Sequence, residues 1–500
     1  MADKRPLVLD VDGTFLKTDM LLESFWAGLS QDPVGVIGDT FANIRAPARL
    51  KRALTDRVDL PVERLPVRQE ILDMAAAARD DGHKVVLASA SDERLVARLA
   101  KHHGLADGVL GSDGEHNLKG AAKAGALTAA YGDRGFDYAG DASADRPVWD
   151  ASGVAIIVGN HSRAAEDLRA NGKEVVEVSG GWRRRDLIRA LRPHQWVKNV
   201  LLFLPMIAAH AFDLVTFWHV LVGIAAFCAA ASSIYIVNDL LDLDADRRHP
   251  TKCKRPFAAG DVPISSGMAS CAGLGALALI LGASLGWAFL GVVVFYMILS
   301  LAYSLKLKRL RWIDIATLAS LYTIRVVAGA VASGVEATGY LLAFVFPVFL
   351  TLGSVKRLTE LTLAKSDERL PGRGYGRPDR GDLLNVAALG TVAALLIFFF
   401  YSFSDQALEL YPTRWLLWVA LIPIAVWLLR MVLLGYAGKQ DYDPIVFAMR
   451  DRFGIGVILI TLSILFYAAG LWAEWFGTDP GQIESFLKMN SGTDRIISMM

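Results

Sequence analysis

From about residue 190 onward the chain is a succession of apolar runs, each long enough for a helix to cross a bilayer, which takes roughly 20 residues. A soluble fold has no place for so much continuous apolar surface. The first 180 or so residues have ordinary polarity, so these runs account for the 53% hydrophobic content and the mean hydropathy of +0.37. Nine spans are expected, near 197–211, 215–237, 266–284, 287–304, 313–333, 338–355, 384–403, 414–436 and 453–475. The loops after the second, fourth, sixth and eighth spans carry the basic residues, among them Lys252, Arg255, Lys306, Lys356, Arg357 and Arg450. The intervening loops AHAFDL, SLGWA and SGVEATG carry none, and SDQALELYPTR only Arg414. By the positive-inside rule the amino-terminal part and the basic loops face the cytoplasm and the carboxyl-terminal tail lies outside. The expectation is an integral protein of a bacterial cytoplasmic membrane. A net charge of +1 gives no nucleic-acid face, and Cys228, Cys253 and Cys271 lack ligand spacing and read as packing residues. The amino terminus has too short an apolar run for a signal peptide.

The second span runs directly into NDLLDLDADRRHPTKCKRP, Asn238 to Pro256. On a helix continuing at 100° per residue, Asn238, Asp239, Asp242 and Asp246 share an arc of about 100°, and Asp244 points roughly opposite Asp239 and Asp242. Carboxylates that close repel one another unless a cation neutralises them, and an oxygen-only donor set suits Mg²⁺. Basic side chains on the same membrane face complete a site for a pyrophosphate. The competing reading is a solvated helix end with incidental acids.

This segment, extended to NDLLDLDADRRHPTKCKRPFAAG, resembles the first aspartate-rich motif of the UbiA superfamily of intramembrane prenyltransferases, and RPHQWVKN, Arg192 to Asn199, resembles that family's opening. The resemblance covers the whole membrane half. It implies an all-helical bundle of nine membrane helices, with Asn238, Asp239, Asp242 and Asp246 holding Mg²⁺ and a pyrophosphate donor, and Asp239 and Asp242 central to catalysis. The second motif departs from the family's usual DxxxD: in YSLKLKRLRWIDIATL, Asp314 is followed four residues later by Leu318. HPTK, RPFAAG, YSLKLK, Arg325 in YTIRVVAGA, the pair Lys356 and Arg357 followed by Glu360, and DPIVFAMRDR look instead like the phosphoribosyltransferase branch. Members of that branch move 5-phosphoribose from phosphoribosyl pyrophosphate to a polyprenyl phosphate such as decaprenyl phosphate. The resemblance makes Lys198, Lys252, Arg255, Lys306, Lys356 and Arg357 candidates for anionic substrate groups; Tyr303 and Asp314 are left open between ribose hydroxyls and metal. Arg325, well inside a span, is functional or one half of a helix-bundle ion pair. Prenyl transfer from a prenyl pyrophosphate to an aromatic or other acceptor is the alternative. The glycine-rich PGRGYGRPDR, Pro371 to Arg380, reads as a connector or, through Arg373 or Tyr375, as a phosphate contact.

The amino-terminal part opens with PLVLDVDGT, a strand ending in two aspartates and a glycine turn; KVVLASAS and FDYAGDASAD follow with hydroxyls and carboxylates at their strand ends. That order describes an open parallel sheet of Rossmann-like α/β type with a polar cluster at the strands' carboxyl ends. With GAAKAGAL between the last two strands, it resembles the haloacid dehalogenase superfamily of phosphohydrolases. The resemblance makes Asp10 the nucleophile, Asp12 the acid/base and Ser89 a phosphoryl ligand. Lys123 is the expected cation, with Lys119 its competitor, and Asp141 and Asp145 complete an Mg²⁺ site with Asp10 and Asp12. About 70 residues between Thr14 and Lys84 are expected to form a small helical cap.

The expected organisation is 1–180 phosphohydrolase-like, 181–196 a basic linker and interfacial helix, 197–477 the membrane domain and 478–500 a polar tail. Joined, the halves imply phosphoribosylation of a lipid followed by dephosphorylation to polyprenyl-phosphoryl-ribose, a precursor for cell-envelope glycans. The partners expected are the lipid, the pyrophosphate donor and the membrane. A homo-oligomer stays open, and a non-enzymatic scaffold is disfavoured by two filled metal sites.

Overall fold

The computed structural model describes residues 4–104, 106–336, 338–364, 366–370, 373–440 and 443–477; the expected polar tail lies outside them. The chain divides into two compact units, the first made of Met1–Arg192 and Ser232–Leu274, the second of Pro193–Ala231 and Gly275–Met500.

The first unit contains a parallel sheet of β1 (Leu7–Leu9), β2 (Val85–Asp92), β3 (Gly108–Ser112), β4 (Asp137–Gly140), β5 (Val154–Val158) and β6 (Glu174–Val178), in the order β3-β2-β1-β4-β5-β6. Strands covered on both faces read as continuous apolar runs, and LVL and VAIIV do. One face packs Leu7, Leu9, Val85 and Leu87 under Ile71, Leu95 and Leu99; the other packs Val8, Val86, Tyr138 and Ile157 under Leu127 and Trp149. The strand order reverses beside β1, so the carboxyl ends of β1, β2 and β4 open one crevice, the usual ligand position in such sheets. The insertion between β1 and β2 is helical, with α1 (Met20–Gln31), α2 (Pro33–Asn43) and α3 (Pro47–Arg57). Local chemistry sets their starts: Asp19 accepts from Leu22 N–H and Asp32 from Gly35 N–H, and a proline opens each of α2 and α3.

Among the described residues, seven helices are long and apolar enough to cross a membrane: Leu214–Leu241, Ile264–Ser284, Trp287–Leu305, Ile313–Ser333, Gly339–Thr362, Arg377–Tyr401 and Trp415–Tyr436. The two other expected spans take shorter forms. The segment expected at 197–211 is a 3-10 run, Pro193–Phe203, followed by the helix Leu204–Ala208 with Pro205 in its first turn. The segment expected at 453–475 is the 17-residue helix Arg452–Ala468 and, after Gly470 in the left-handed conformation, Leu471–Phe476. Glycine at such a position ends a helix without side-chain strain.

The helix Leu214–Leu241 does not continue unbroken through the acidic motif. It stops before Asp242, whose backbone (φ −101°, ψ 12°) leaves the helical region, and a six-residue helix, Leu243–Arg248, follows. Backbone bonds from Asp242 N–H to Asn238 and from Asp246 N–H to Asp242 bridge the break at 3.1 and 2.8 Å, so the spacing along the motif stays close to helical.

Candidate functional site

At the crevice of the sheet, β1 delivers Asp10 and the turn after it Asp12; β2 delivers Ser89, and the end of β4 Asp141 and Asp145. Gly13 makes the turn possible: its φ is +84°, and a Cβ there would lie 2.2 Å from Asp141 Oδ2. Oxygens of Asp10, Asp141 and Asp145 lie within 4.8 Å of one another, the one such group of three metal-ligating side chains among the described residues. Lys123 Nζ donates to Asp10 Oδ1 at 2.6 Å and to the Tyr138 hydroxyl at 2.9 Å, and lies 3.6 Å from Asp145 Oδ1. Lys119 is exposed.

The electrostatics of this cluster ask for a cation. Burial, only partly opposed by Lys123, raises the Asp10 pKa well above the usual carboxylate range. Burial and the Asp145 charge lift Asp141 to about 6. Burial alone would lower Lys123, but Asp10 and Asp145 outweigh it and the pKa is raised. Three converging carboxylates, offering oxygen donors only, fit a hard divalent cation. Asp12 is held separately: its Oδ2 accepts from the Ser89 and Ser91 hydroxyls at 2.9 and 2.6 Å, and its Oδ1 from Met20 N–H at 2.8 Å.

The acidic motif of the same unit is arranged around arginines. Arg255 Nη1 lies 3.2 Å from Asp239 Oδ1 and 2.6 Å from Asp246 Oδ2, and Arg192 also donates to Asp239. Asp239 and Asp246 are buried, Asn238 and Asp242 half-buried, and Lys252 exposed. Burial raises the Asp246 pKa against the pull of Arg255. Asp244 is set apart, paired with Arg64 at 2.7 Å and Arg248 at 2.8 Å. Two buried carboxylates thus converge on one guanidinium nitrogen, which balances their charge. Asp242 and Asn238, half-buried beside them, offer further oxygen atoms.

The second unit holds three further polar clusters. Asp314, wholly buried, receives Arg357 through both oxygens and the Tyr303 hydroxyl at 2.9 Å, while Arg357 also reaches Glu360 at 2.6 Å. Every guanidinium nitrogen of Arg357 is engaged and the side chain has no exposure; Asp314 correspondingly has both oxygens occupied. Asp443 accepts Lys198, lies 3.8 Å from Lys356 Nζ and 3.4 Å from the Tyr322 hydroxyl. Burial would raise Asp443, but the two lysines prevail and hold it well below the usual carboxylate range. Arg325, inside its span, donates to Asn199 Oδ1 and the Tyr296 hydroxyl at 3.0 Å each and to the Leu321 carbonyl. Lys306 is exposed at the end of Trp287–Leu305.

In the glycine-rich loop, Tyr375 is buried and its hydroxyl accepts the Trp312 N–H at 2.8 Å, a helix-capping role; Arg373 lies 3.7 Å from Asp314. Pro371 and Gly372 lie outside the described residues. Sequence reasoning gave no roles to Ser91, Tyr138, Arg192 or Asp443. For Ser91 the signal was present, as the second hydroxyl in ASAS; Asp443 stood in the DPIV segment without a partner to identify it.

Seven apolar helices and a separate α/β sheet define an integral membrane protein with an appended parallel-sheet part. Residues 199–450 match the UbiA prenyltransferase family, and the chain belongs to it. It is 33% identical over 475 residues to the protein named "Uncharacterized protein y4nM" of Sinorhizobium fredii, covering 92% of this chain and 91% of that one. It is 34% identical to the nodulation protein NoeC of Azorhizobium caulinodans, over 55% of this chain and 91% of that protein. It is 33% identical to the decaprenyl-phosphate phosphoribosyltransferase of Mycolicibacterium smegmatis, over 58% of this chain and 90% of that enzyme. The match to the Sinorhizobium protein is too long to leave out the α/β part, so both parts occur together there.

Proposed function

We propose that the chain is a membrane enzyme with two activities in series. The membrane domain, 197–477, transfers 5-phosphoribose from phosphoribosyl pyrophosphate to a polyprenyl phosphate. The α/β domain, 1–180, is a haloacid dehalogenase-type phosphatase that removes the 5-phosphate and leaves polyprenyl-phosphoryl-ribose. Relatives named decaprenyl-phosphate phosphoribosyltransferase support the first step. The observation that favours it over aromatic prenylation is the second motif itself, where Asp314 is followed four residues later by Leu318 and not by a second carboxylate.

In the transfer, the bond from the anomeric carbon to pyrophosphate breaks and a lipid phosphate oxygen bonds to that carbon. The nucleophile is already anionic, so no strong base is needed. Asn238, Asp239, Asp242 and Asp246 are the residues that would hold Mg²⁺, which when bound neutralises charge on the departing pyrophosphate. Arg255, now shared by Asp239 and Asp246, is free to turn to a pyrophosphate oxygen once a metal takes the carboxylates. Lys198 and Lys356 share one carboxylate, Asp443, and so keep a positive surplus for an anionic group of lipid or donor.

In the hydrolysis, an Asp10 oxygen attacks phosphorus and the bond to the ribose 5-oxygen breaks. Asp12 gives that oxygen a proton, then takes one from the water that splits the aspartyl phosphate to inorganic phosphate. Lys123 fixes Asp10, and the Ser89 and Ser91 hydroxyls and Met20 N–H fix Asp12. Asp10, Asp141 and Asp145 would hold Mg²⁺, whose charge offsets repulsion between nucleophile and phosphate when it is bound. The distribution of basic loops supports both sites lying on the cytoplasmic side of a bacterial membrane.

The test is a comparison of donors by the purified protein in lipid nanodiscs with Mg²⁺. One arm holds phosphoribosyl pyrophosphate and polyprenyl phosphate, the other a polyprenyl pyrophosphate and 4-hydroxybenzoate, with products read by mass. Ribosylated lipid is expected in the first arm; product in the second arm alone would establish the prenyltransferase reading.

A further inference from the structure

Helix α1 starts at the phosphatase-like cluster, where Met20 N–H meets Asp12, and passes along the acidic motif within the same unit. One turn on, Glu23 is buried and receives Arg247 twice, Nη1 to Oε2 at 3.0 Å and Nη2 to Oε1 at 2.5 Å, with the Thr18 hydroxyl donating at 2.7 Å. Arg247 also donates from Nε to the Ala258 carbonyl at 3.1 Å, so one residue ties the motif helix, the loop after it and α1 together. Trp26, a further turn along, packs with Ile236, Leu240, Leu243 and Phe257. The loop after the motif presses on the amino-terminal part at Gly260, where φ is +71° and a Cβ would lie 2.6 Å from Lys17 Cβ and 2.9 Å from Pro66. Arg64 reaches Asp244 at 2.7 Å from the far side of the motif helix.

These contacts meet a need of the motif. Its main helix stops before Asp242, and the helix Leu243–Arg248 is only six residues long, too short to persist by itself. Asp246 and Asp242 therefore depend on tertiary contacts for their placement. We propose that α1 is a positioning element of the transferase: through Glu23 and Arg247 it holds the helix Leu243–Arg248, and with it Asp242 and Asp246, in the geometry that takes the metal. The phosphatase-like part is then a structural component of the transferase site, a dependence independent of what it hydrolyses. The metal-holding role rests on the proposed function; the mechanical role does not, and the two are measured separately.

The experiment compares the full chain in nanodiscs with Glu23→Gln, Glu23→Asp and the reversal Glu23→Arg with Arg247→Glu. Hydrogen exchange of amides 242–262 should be at least roughly ten-fold faster in Glu23→Gln, because removing one partner strands a buried charge. Amides of Ile313–Ser333 should be unchanged, and the reversal should restore part of the protection. In the kinetic arm, the Mg²⁺ concentration for half-maximal lipid ribosylation should rise several-fold with a smaller change in rate at saturating Mg²⁺. Hydrolysis of p-nitrophenyl phosphate should stay within about two-fold, as Glu23 touches no reacting atom. Parent-like protection of 242–262 in Glu23→Gln would overturn the proposal, and altered protection with an unmoved Mg²⁺ requirement would overturn the metal-positioning role. If Glu23→Gln also loosens the sheet amides, Glu23→Asp, which keeps the charge, is read against the same two criteria. A parent that ribosylates no lipid refutes the proposed function, and the exchange arm still decides the mechanical role.

Discussion

Lys123 Nζ donates to Asp10 Oδ1 at 2.6 Å, with both side chains buried at the carboxyl end of the central strand. In the proposed hydrolysis the pair would fix the oxygen that attacks phosphorus and supply a cation where the substrate phosphate arrives. Lys123→Met should lower hydrolysis of a phosphomonoester by at least roughly 100-fold, since it strands a buried carboxylate beside two others. Lys119→Met, at an exposed position, should stay within about two-fold. Steady-state release of inorganic phosphate checks both.

Asp19 supplies a pH signature. Burial and the neighbouring Asp12 lift its pKa from 3.8 to about 6. A carboxyl raised on folding contributes stability that is fully present below the unfolded value and lost as pH rises through the folded one. Asn caps a helix as well as Asp does and cannot ionise. Asp19→Asn in metal-free protein should therefore match the parent near pH 4 and exceed it at pH 8, by on the order of 3 kcal/mol at about 1.4 kcal/mol per pH unit. Thermal unfolding of the α/β part followed across that range measures it.

Asp314 and Arg357 form a buried pair whose partners depend on each other. Arg357→Gln alone should destabilise the protein by roughly 3–5 kcal/mol, because it leaves a buried charge uncompensated. The double variant Asp314→Asn with Arg357→Gln should cost less than the sum of the singles. A double-mutant cycle on thermal stability decides this, and strict additivity would show that the two act independently.

Asp239 and Asp244, five positions apart in one acidic stretch, should behave oppositely. Asp239→Asn, at a buried position shared with Arg192 and Arg255, should reduce lipid transfer by at least roughly 100-fold and leave phosphatase turnover intact. Asp244→Asn loses half-exposed pairs with Arg64 and Arg248, worth about 0–1 kcal/mol, and should retain most of the transfer. Equal loss from both, measured with labelled donor, would mean that all the carboxylates act as one set.

What was legible in the sequence was what local chemistry fixes. PLVLDVDGT, ASAS and GDASAD each end a strand, so a parallel sheet brings Asp10, Asp12, Ser89, Asp141 and Asp145 together whatever lies between them. Lys123 against Lys119 was not legible, because the two lie four positions apart and nothing local shows that Lys119 sits in the loop before the helix Ala121–Tyr131 while Lys123 is buried on it. Nor were Arg357 with Asp314, 43 positions apart, or Arg247 with Glu23, 224 apart, since no periodicity links partners chosen by tertiary contact. The acidic face was readable from spacing, but the break at Asp242 was not: neither glycine nor proline marks it. The spans at 197–211 and 453–475 were read from hydropathy alone, which is blind to the Pro193 and Pro205 that favour short turns and to the Gly470 that ends a helix early.

In the proposed function two activities act in order on one lipid. The most direct measurement incubates the full chain and its Asp10→Asn variant with Mg²⁺, polyprenyl phosphate and labelled phosphoribosyl pyrophosphate, and weighs the lipid products. Ribosylated lipid is expected from the parent and its 5-phosphorylated precursor from Asp10→Asn. Phosphoribosylated lipid accumulating equally in both would contradict the coupling, and unlabelled lipid in both would contradict the transfer itself.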